Sequence, residues 1–222
     1  NVDALQNSTL DTGAAGAQTV GLGVTGDNTY TLGGIQGADD LDMGANSLNV
    51  GRNGQDTTYG GALTGTGALT KVGDGTLILA GANTYTGGTH VAAGGLLVTG
   101  SITGDTVVDT GALIGGSGTT GGLTIHSGGY LSPGSSPDQL FVDEYLVLES
   151  GANYIVEVVT GNQPGDGVIG YDQVVVAGTV SLDGANLLLV TTPLTDIRVG
   201  QQLTIIDNDA SDPVVGLFAS LA

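Results

Sequence analysis

The sequence has no cysteine and no tryptophan, and it has three basic residues against 22 acidic ones. Without cysteine there can be no disulfide bond and no thiolate chemistry. A net charge of −19 provides no basic surface, which excludes binding to nucleic acids and direct binding to anionic lipids. No apolar run approaches the length of about 18 residues that a membrane-spanning helix needs.

Glycine dominates what is present, with 42 of the 222 residues, while proline accounts for only five. Collagen is excluded because the glycines follow no period of three. Disorder is also disfavoured, because 40% of the residues are hydrophobic despite the charge. No long segment has the 3.6-residue apolar period of a helix, which argues against a globular α/β enzyme. The composition therefore indicates an all-β fold with many sharp turns.

A repeated pattern runs through the chain: a small or acidic residue, a glycine, a short side chain and then a short apolar strand. The central copies recur every 17 to 19 residues. The glycines of the pattern are Gly44, Gly75, Gly94, Gly111, Gly128, Gly151 and Gly184. Toward the carboxyl end the spacing widens, which predicts hairpins added to the repeating unit.

A repeat this short leaves no room for a crossover helix and cannot bury its apolar residues alone. Coiling solves the problem, because each turn stacks on the next and the inward side chains form one core. The sequence thus predicts a parallel β-solenoid, with a β-sandwich as the alternative. Five leucines are expected to share the core: Leu77, Leu96, Leu113, Leu123 and Leu131.

Residues 68–98 read ALTKVGDGTLILAGANTYTGGTHVAAGGLLV. This stretch resembles the passenger-associated repeat of bacterial autotransporters, and the likeness has no gap. Residues 121–137, GGLTIHSGGYLSPGSSP, resemble a stretch found before the last part of such passengers. Residues 146–190 are similar to the family's C-terminal strands.

The resemblance implies a right-handed parallel β-helix that is exported through the outer membrane of a Gram-negative cell. On this basis we expect degenerate N-terminal coils in residues 1–60, regular repeats in 61–140 and an autochaperone-like cap in 141–222. The resemblance also implies that a C-terminal β-barrel translocator follows in the full protein. The present chain is then expected to be a released or truncated piece of the passenger.

The sequence assigns no catalytic residue and no cofactor. Strand alternation predicts that His90 and His126 point outward, and Ser127 beside His126 does not make a triad. Paired carboxylates such as Asp39 and Asp40 could hydrolyse glycosides, but solvated loop residues are the simpler interpretation.

One segment near the carboxyl end could bind calcium. Asp207, Asp209 and Asp212 offer hard oxygen ligands within six residues, without the spacing of a known calcium loop. The alternative is that these residues form Asx turns.

The expected function is that of a non-enzymatic extracellular stalk, located on the bacterial surface or secreted, that supports adhesion or aggregation. Its expected partners are molecules on host or neighbouring cells, or further copies of itself. Two other functions stay open, namely a carbohydrate-active enzyme built on a β-helix and a subunit of a self-assembling surface filament or layer.

Overall fold

The computed structural model describes residues 5–13, 19–21, 28–134, 138–159, 170–191, 202–209 and 211–221. All regular structure in these ranges is strand, and no helix occurs among them. These residues accordingly include no helix of the length and hydropathy that crossing a membrane requires.

The strands are short because a turn follows every two to six residues. In chain order they are β1 (Thr9–Asp11), β2 (Thr19–Gly21), β3 (Thr29–Leu32), β4 (Gly34–Gln36), β5 (Asp40–Asp42), β6 (Ser47–Val50), β7 (Thr57–Tyr59), β8 (Leu63–Thr64), β9 (Leu69–Lys71), β10 (Thr76–Leu79), β11 (Ala82–Asn83), β12 (Thr89–Val91), β13 (Gly95–Val98), β14 (Ser101–Ile102), β15 (Thr106–Val108), β16 (Leu113–Gly116), β17 (Thr119–Thr120), β18 (Leu123–Ile125), β19 (Tyr130–Pro133), β20 (Gln139–Val142), β21 (Leu146–Leu148), β22 (Asn153–Val158), β23 (Gln173–Val176), β24 (Val180–Ser181), β25 (Asn186–Thr191), β26 (Ile206–Asn208), β27 (Val214–Val215) and β28 (Ser220–Leu221).

Three long parallel faces organise these strands. An eight-strand face runs from β7 to β28, a six-strand face from β11 to β26 and a nine-strand face from β3 to β27, each taking every third strand of the chain. The chain visits the three faces in turn and then begins the next coil. The predicted parallel β-solenoid is confirmed, and the sandwich alternative is wrong because the strands of every face pair in parallel.

Apolar side chains stack from coil to coil inside the solenoid. On the eight-strand face, Leu77 pairs in register with Leu96, Leu96 with Ile114, and Ile114 with Leu131. All four are buried, as is Leu123 on the nine-strand face. Each coil therefore seals its neighbours, and the core is continuous along the described coils.

Leu113 corrects one prediction. It is only partly buried, and it aligns with Gly95 and Tyr130 on the outer surface while Ile114 takes the inward position. Hydrogen bonding aligns Asp109 with Ala92, so the turn from Asp109 to Leu113 is one residue longer than the turn from Ala92 to Gly95. A one-residue change in a turn exchanges the two faces of the strand that follows.

Glycines form a stack at one corner, which explains part of their abundance. A Cβ atom added to Gly81 would lie 2.1 Å from the carbonyl oxygen of Gly61. The same distance separates a Cβ on Gly100 from Gly81 O, and one on Gly118 from Gly100 O. Since no Cβ tolerates such a contact, only glycine permits the coils to approach this closely.

The longer connections expected toward the carboxyl end all join a strand of the eight-strand face to a strand of the six-strand face. These connections follow Gly134, Val159 and Thr191 on three successive coils. Val158 and Tyr171 form an antiparallel bridge at the base of the second connection. The predicted hairpin additions themselves fall in residues 160–169 and 192–201, which lie outside the described residues, and the proposed domain boundaries remain a prediction.

Candidate functional site

Lys71 is a fully buried cation in the interior of the solenoid. It occupies an inward position, in register between Val50 and Val91. Its Nζ donates hydrogen bonds to the carbonyl oxygens of Val72 at 2.9 Å, Gly73 at 2.8 Å and Ala93 at 3.1 Å. Burial lowers the pKa of Lys71, and the carboxylates of Asp74 and Asp56 oppose that shift.

These three bonds use every N–H of the ammonium group, so Lys71 is neither an available nucleophile nor an acid. It fastens carbonyl groups of two successive coils at a corner where the strand ladder is interrupted. Its role is structural, and sequence analysis did not predict it because lysine is almost never fully buried.

A ladder of titratable side chains crosses the coils on the outer surface near the nine-strand face. Asp109 lies between two histidines: its Oδ2 is 2.7 Å from His90 Nε2 and its Oδ1 is 3.2 Å from His126 Nδ1. On the next coil, Glu149 Oε1 lies 3.8 Å from His126 Nε2. The prediction that both histidines point outward is confirmed, since their side chains are 46% and 41% exposed.

The ladder consists of exposed histidine–carboxylate contacts that link successive coils. Burial alone would raise the pKa of Asp109, but the hydrogen bonds from His90 and His126 together lower it. The contacts of both histidines are to carboxylates, and none of these contacts joins a histidine to a serine hydroxyl as acyl transfer would require. Exposed pairs of this kind contribute about 0–1 kcal/mol each to stability.

A shallow groove of about 400 Å³ adjoins the ladder and is lined in part by Leu69, Gly88, His90 and Asp105. Asp105 also faces Tyr145, and burial followed by the negative charge of Asp105 raises the pKa of that phenol. The titratable side chains of the lining are this imidazole and this carboxylate, and the other lining residues are small, apolar or threonine.

In the segment that could bind calcium, Asp209 forms an Asx turn. Asp209 Oδ1 accepts hydrogen bonds from the backbone N–H of Ser211 at 2.9 Å and from its hydroxyl at 2.7 Å. Asn208 Nδ2 donates to the carbonyl oxygen of Asp212 at 2.8 Å. Asp207 lies in strand β26, in register with the outward Val175. Within the described ranges, no group of three or more acidic, histidine or cysteine side chains is arranged to hold a metal ion.

Asp172 is a buried carboxylate at the base of the second long connection. Its Oδ2 accepts from the backbone N–H of Glu157 at 2.9 Å, and its Oδ1 from that of Asp138 at 3.2 Å. Burial raises its pKa to about 6, against the lowering effect of these two bonds and with help from the Glu157 and Asp138 charges. Asp172 therefore ties three segments together at an electrostatic cost.

Sequence reasoning missed these groupings because their members are far apart in the chain. For the histidine ladder a signal did exist. His90 and Asp109 are 19 residues apart, and Asp109 and His126 are 17 apart, which matches the length of one coil. Residues separated by one coil length become neighbours in a solenoid.

Comparisons with known proteins agree with the pattern of the repeat. Residues 69–98 match the family model described as the passenger-associated transport repeat. This range holds most of the stretch that carried the resemblance, which is thereby confirmed.

Two curated proteins share longer segments with the chain. An adhesin autotransporter, BmaC, of Brucella suis biovar 1 (strain 1330) is 43% identical over 74 residues, which is 33% of this chain and 2% of that protein. An extracellular serine protease of Serratia marcescens is 31% identical over 96 residues, which is 43% of this chain and 9% of that protein. The chain thus spans a small part of each of these relatives.

Proposed function

We propose that this autotransporter passenger repeat region is a non-enzymatic stalk that holds other passenger regions away from a Gram-negative cell surface. The observation that carries the proposal is the continuous core of stacked coils. The nine strands of the longest face, at about 4.8 Å each, give a rod of roughly 40 Å. A rod with a core running along its axis resists bending, which is what a spacer needs.

The proposed location is the outer surface or the medium outside the cell. One relative is named as an autotransporter adhesin and the other as an extracellular serine protease, and these names support a location outside the cell. The high negative charge supports solubility there. In the full protein one partner would be a C-terminal translocator. The other partners would be molecules on host or neighbouring cells, or further copies of the chain.

Adhesion is the activity that the stalk would support, as the name of the Brucella relative suggests. A protease role has less support. The ladder of His90, Asp109 and His126 supplies imidazole groups whose contacts are carboxylates. No observation among the described residues favours a serine nucleophile.

The stalk proposal can be tested by removing one coil in register. Deleting residues 76–94 joins Gly75 to Gly95, and Gly95 is the residue that pairs with Thr76. The shortened chain and the parent chain are displayed on bacteria below the same binding module. We expect the shorter rod to fold, by circular dichroism, and to reduce adhesion to a surface-bound ligand under flow.

A control separates spacing from chemistry. The variant with His90→Gln, Asp109→Asn and His126→Gln keeps the length and removes the titratable ladder, so adhesion should be unchanged. Loss of adhesion in this variant with normal display, or full adhesion after the coil deletion, would refute the stalk function.

We further propose that the C-terminal coils fold first and template the coils before them. Strands β22 and β25 are the longest, with six residues each, and they pair along their whole length. The inward side chains of β22, which are Tyr154, Val156 and Val158, are buried in the core. Native hydrogen exchange of the whole chain should be slowest in residues 145–159 and 173–190. Slower exchange in residues 28–60 would contradict this order.

A further inference from the structure

An exposed phenylalanine stands on the outer surface of the six-strand face. Phe141 is one of two phenylalanines in the chain and is 39% exposed. In register, it lies between Thr119 on one coil and Val175 on the next, and Asp207 follows Val175. The neighbouring inward residues Val142 and Val176 fill the core, so Phe141 is not needed there.

A second outward row lies beside this one and contains a notch. The backbone N–H of Ala177 bonds to Val142 O, and that of Asp209 bonds to Val176 O, which aligns Asp143, Ala177 and Asp209 across three coils. Ala177 is exposed and has only a methyl group. The two aspartates on either side are therefore separated by a gap, with Cα atoms on the order of 10 Å apart.

Together the two rows enclose a groove of about 190 Å³, which we call the Phe141 groove. It is lined by Phe141, Val142, Asp143, Val175, Val176, Ala177, Asp207 and Asp209. Hydrogen bonds from Ser211 lower the pKa of Asp209, which keeps that carboxylate ionised. The groove thus combines an aromatic and aliphatic wall with three carboxylates.

The described part of the chain offers these carboxylates no cationic partner. Its only lysine and arginine are Lys71 and Arg52, and neither lines the groove. Lys71 is buried on carbonyl oxygens. A chain of net charge −19 attracts basic partners over a distance, and this groove offers such a partner both charge and apolar surface.

We propose that the Phe141 groove binds an arginine side chain of a partner protein. The guanidinium would lie in the notch over Ala177, between Asp143 and Asp209, and its stem would cover Val175. Phe141 would face the planar cation. Arginine fits better than lysine because its planar group bonds carboxylates in pairs, stacks on aromatic rings and is weakly hydrated.

This inference is separate from the stalk function, because the rod would act as a spacer whether or not the groove is occupied. The probe is the acetylated and amidated peptide Gly-Gly-Arg-Gly-Gly, with the same peptide carrying neutral citrulline as its control. The full chain is labelled on its phenylalanine rings and observed by NMR. Phe141 reports on the groove, and Phe218, which stacks on Tyr154, serves as the internal reference.

We expect the arginine peptide to shift the Phe141 signals saturably and to leave Phe218 unchanged, while the citrulline peptide shifts neither. The substitution Ala177→Leu fills the notch without changing the charge, so it should weaken peptide binding by about tenfold or more. The control Ala177→Ser leaves the notch open and should bind the peptide within about twofold of the parent chain. Asp143→Asn should weaken binding by about two- to fivefold, the effect of one exposed ion pair. Asp183→Asn, an exposed aspartate elsewhere, should have no effect.

Several results would overturn the proposal. Equal binding of the citrulline peptide would show that charge is not recognised, and unchanged binding by Ala177→Leu would place the peptide elsewhere. Displacement of the peptide by submillimolar calcium would make the groove a metal site instead. Tighter binding of spermidine than of the arginine peptide would assign it to small polyamines rather than to a protein.

Discussion

Truncation of Leu96 tests the stacked core and its register together. Leu96 is fully buried between Leu77 and Ile114 in the inward row of the eight-strand face. The change Leu96→Ala removes three carbon atoms from this row. At about 0.8 kcal/mol for each buried carbon, the transfer term is about 2.4 kcal/mol. The row belongs to a sheet paired on both sides and cannot collapse freely, so a cavity term should bring the loss of unfolding free energy to about 3–5 kcal/mol.

Leu113→Ala is the matched control, because it is the same substitution one strand away on the outer surface. Leu113 is only partly buried and its neighbours in register are Gly95 and Tyr130, so the loss should be about 1 kcal/mol or less. Urea unfolding followed by circular dichroism measures both variants, with the m-value checked for a change in cooperativity. Equal losses, or a larger loss for Leu113→Ala, would show that the assigned register is wrong.

Three further predictions concern buried charge, pH and calcium. The substitution Lys71→Met leaves the carbonyl groups of Val72, Gly73 and Ala93 without their shared donor. The free energy of unfolding measured in urea should therefore fall by about 1–3 kcal/mol. An unchanged or raised value would mean that the cost of burying the ammonium group exceeds the stabilisation from its hydrogen bonds. The pKa of Asp172 is raised from 3.8 to about 6 in the folded state. Between these two pH values the folded state keeps a proton on Asp172 that the unfolded state has released. Protonation of Asp172 should therefore stabilise the fold, and the thermal midpoint should rise as the pH falls from 7 to 4. Asp172→Asn should flatten that slope, and a slope unaltered by the substitution would assign it to other carboxylates. Because Asp209 is engaged in an Asx turn, the thermal midpoint should agree within about 2 °C in chelator and in millimolar calcium, and a clear rise with calcium would reveal a bound ion.

Much of the fold follows from spacing alone. Glycines every 17 to 19 residues, with short apolar strands between them, predict coils that bury their residues only by stacking. Alternation within a strand then decides which side chain faces inward. It was correct for Leu77, Leu96, Leu123 and Leu131, and for the outward histidines, because these assignments depend on local geometry.

The alignment between coils is what the sequence left undecided. The prediction for Leu113 was wrong because the turn from Asp109 to Leu113 is one residue longer than the turn from Ala92 to Gly95. The residues of the two turns do not indicate this difference in length. The His90–Asp109–His126 ladder and the groove beside Phe141 exist only once successive coils are brought into register. Lys71 is buried because backbone carbonyl groups converge at one corner to receive its ammonium group, and that convergence is a property of stacked coils. Periodicity within one strand is local and can be read directly, whereas contacts between coils depend on every turn between them.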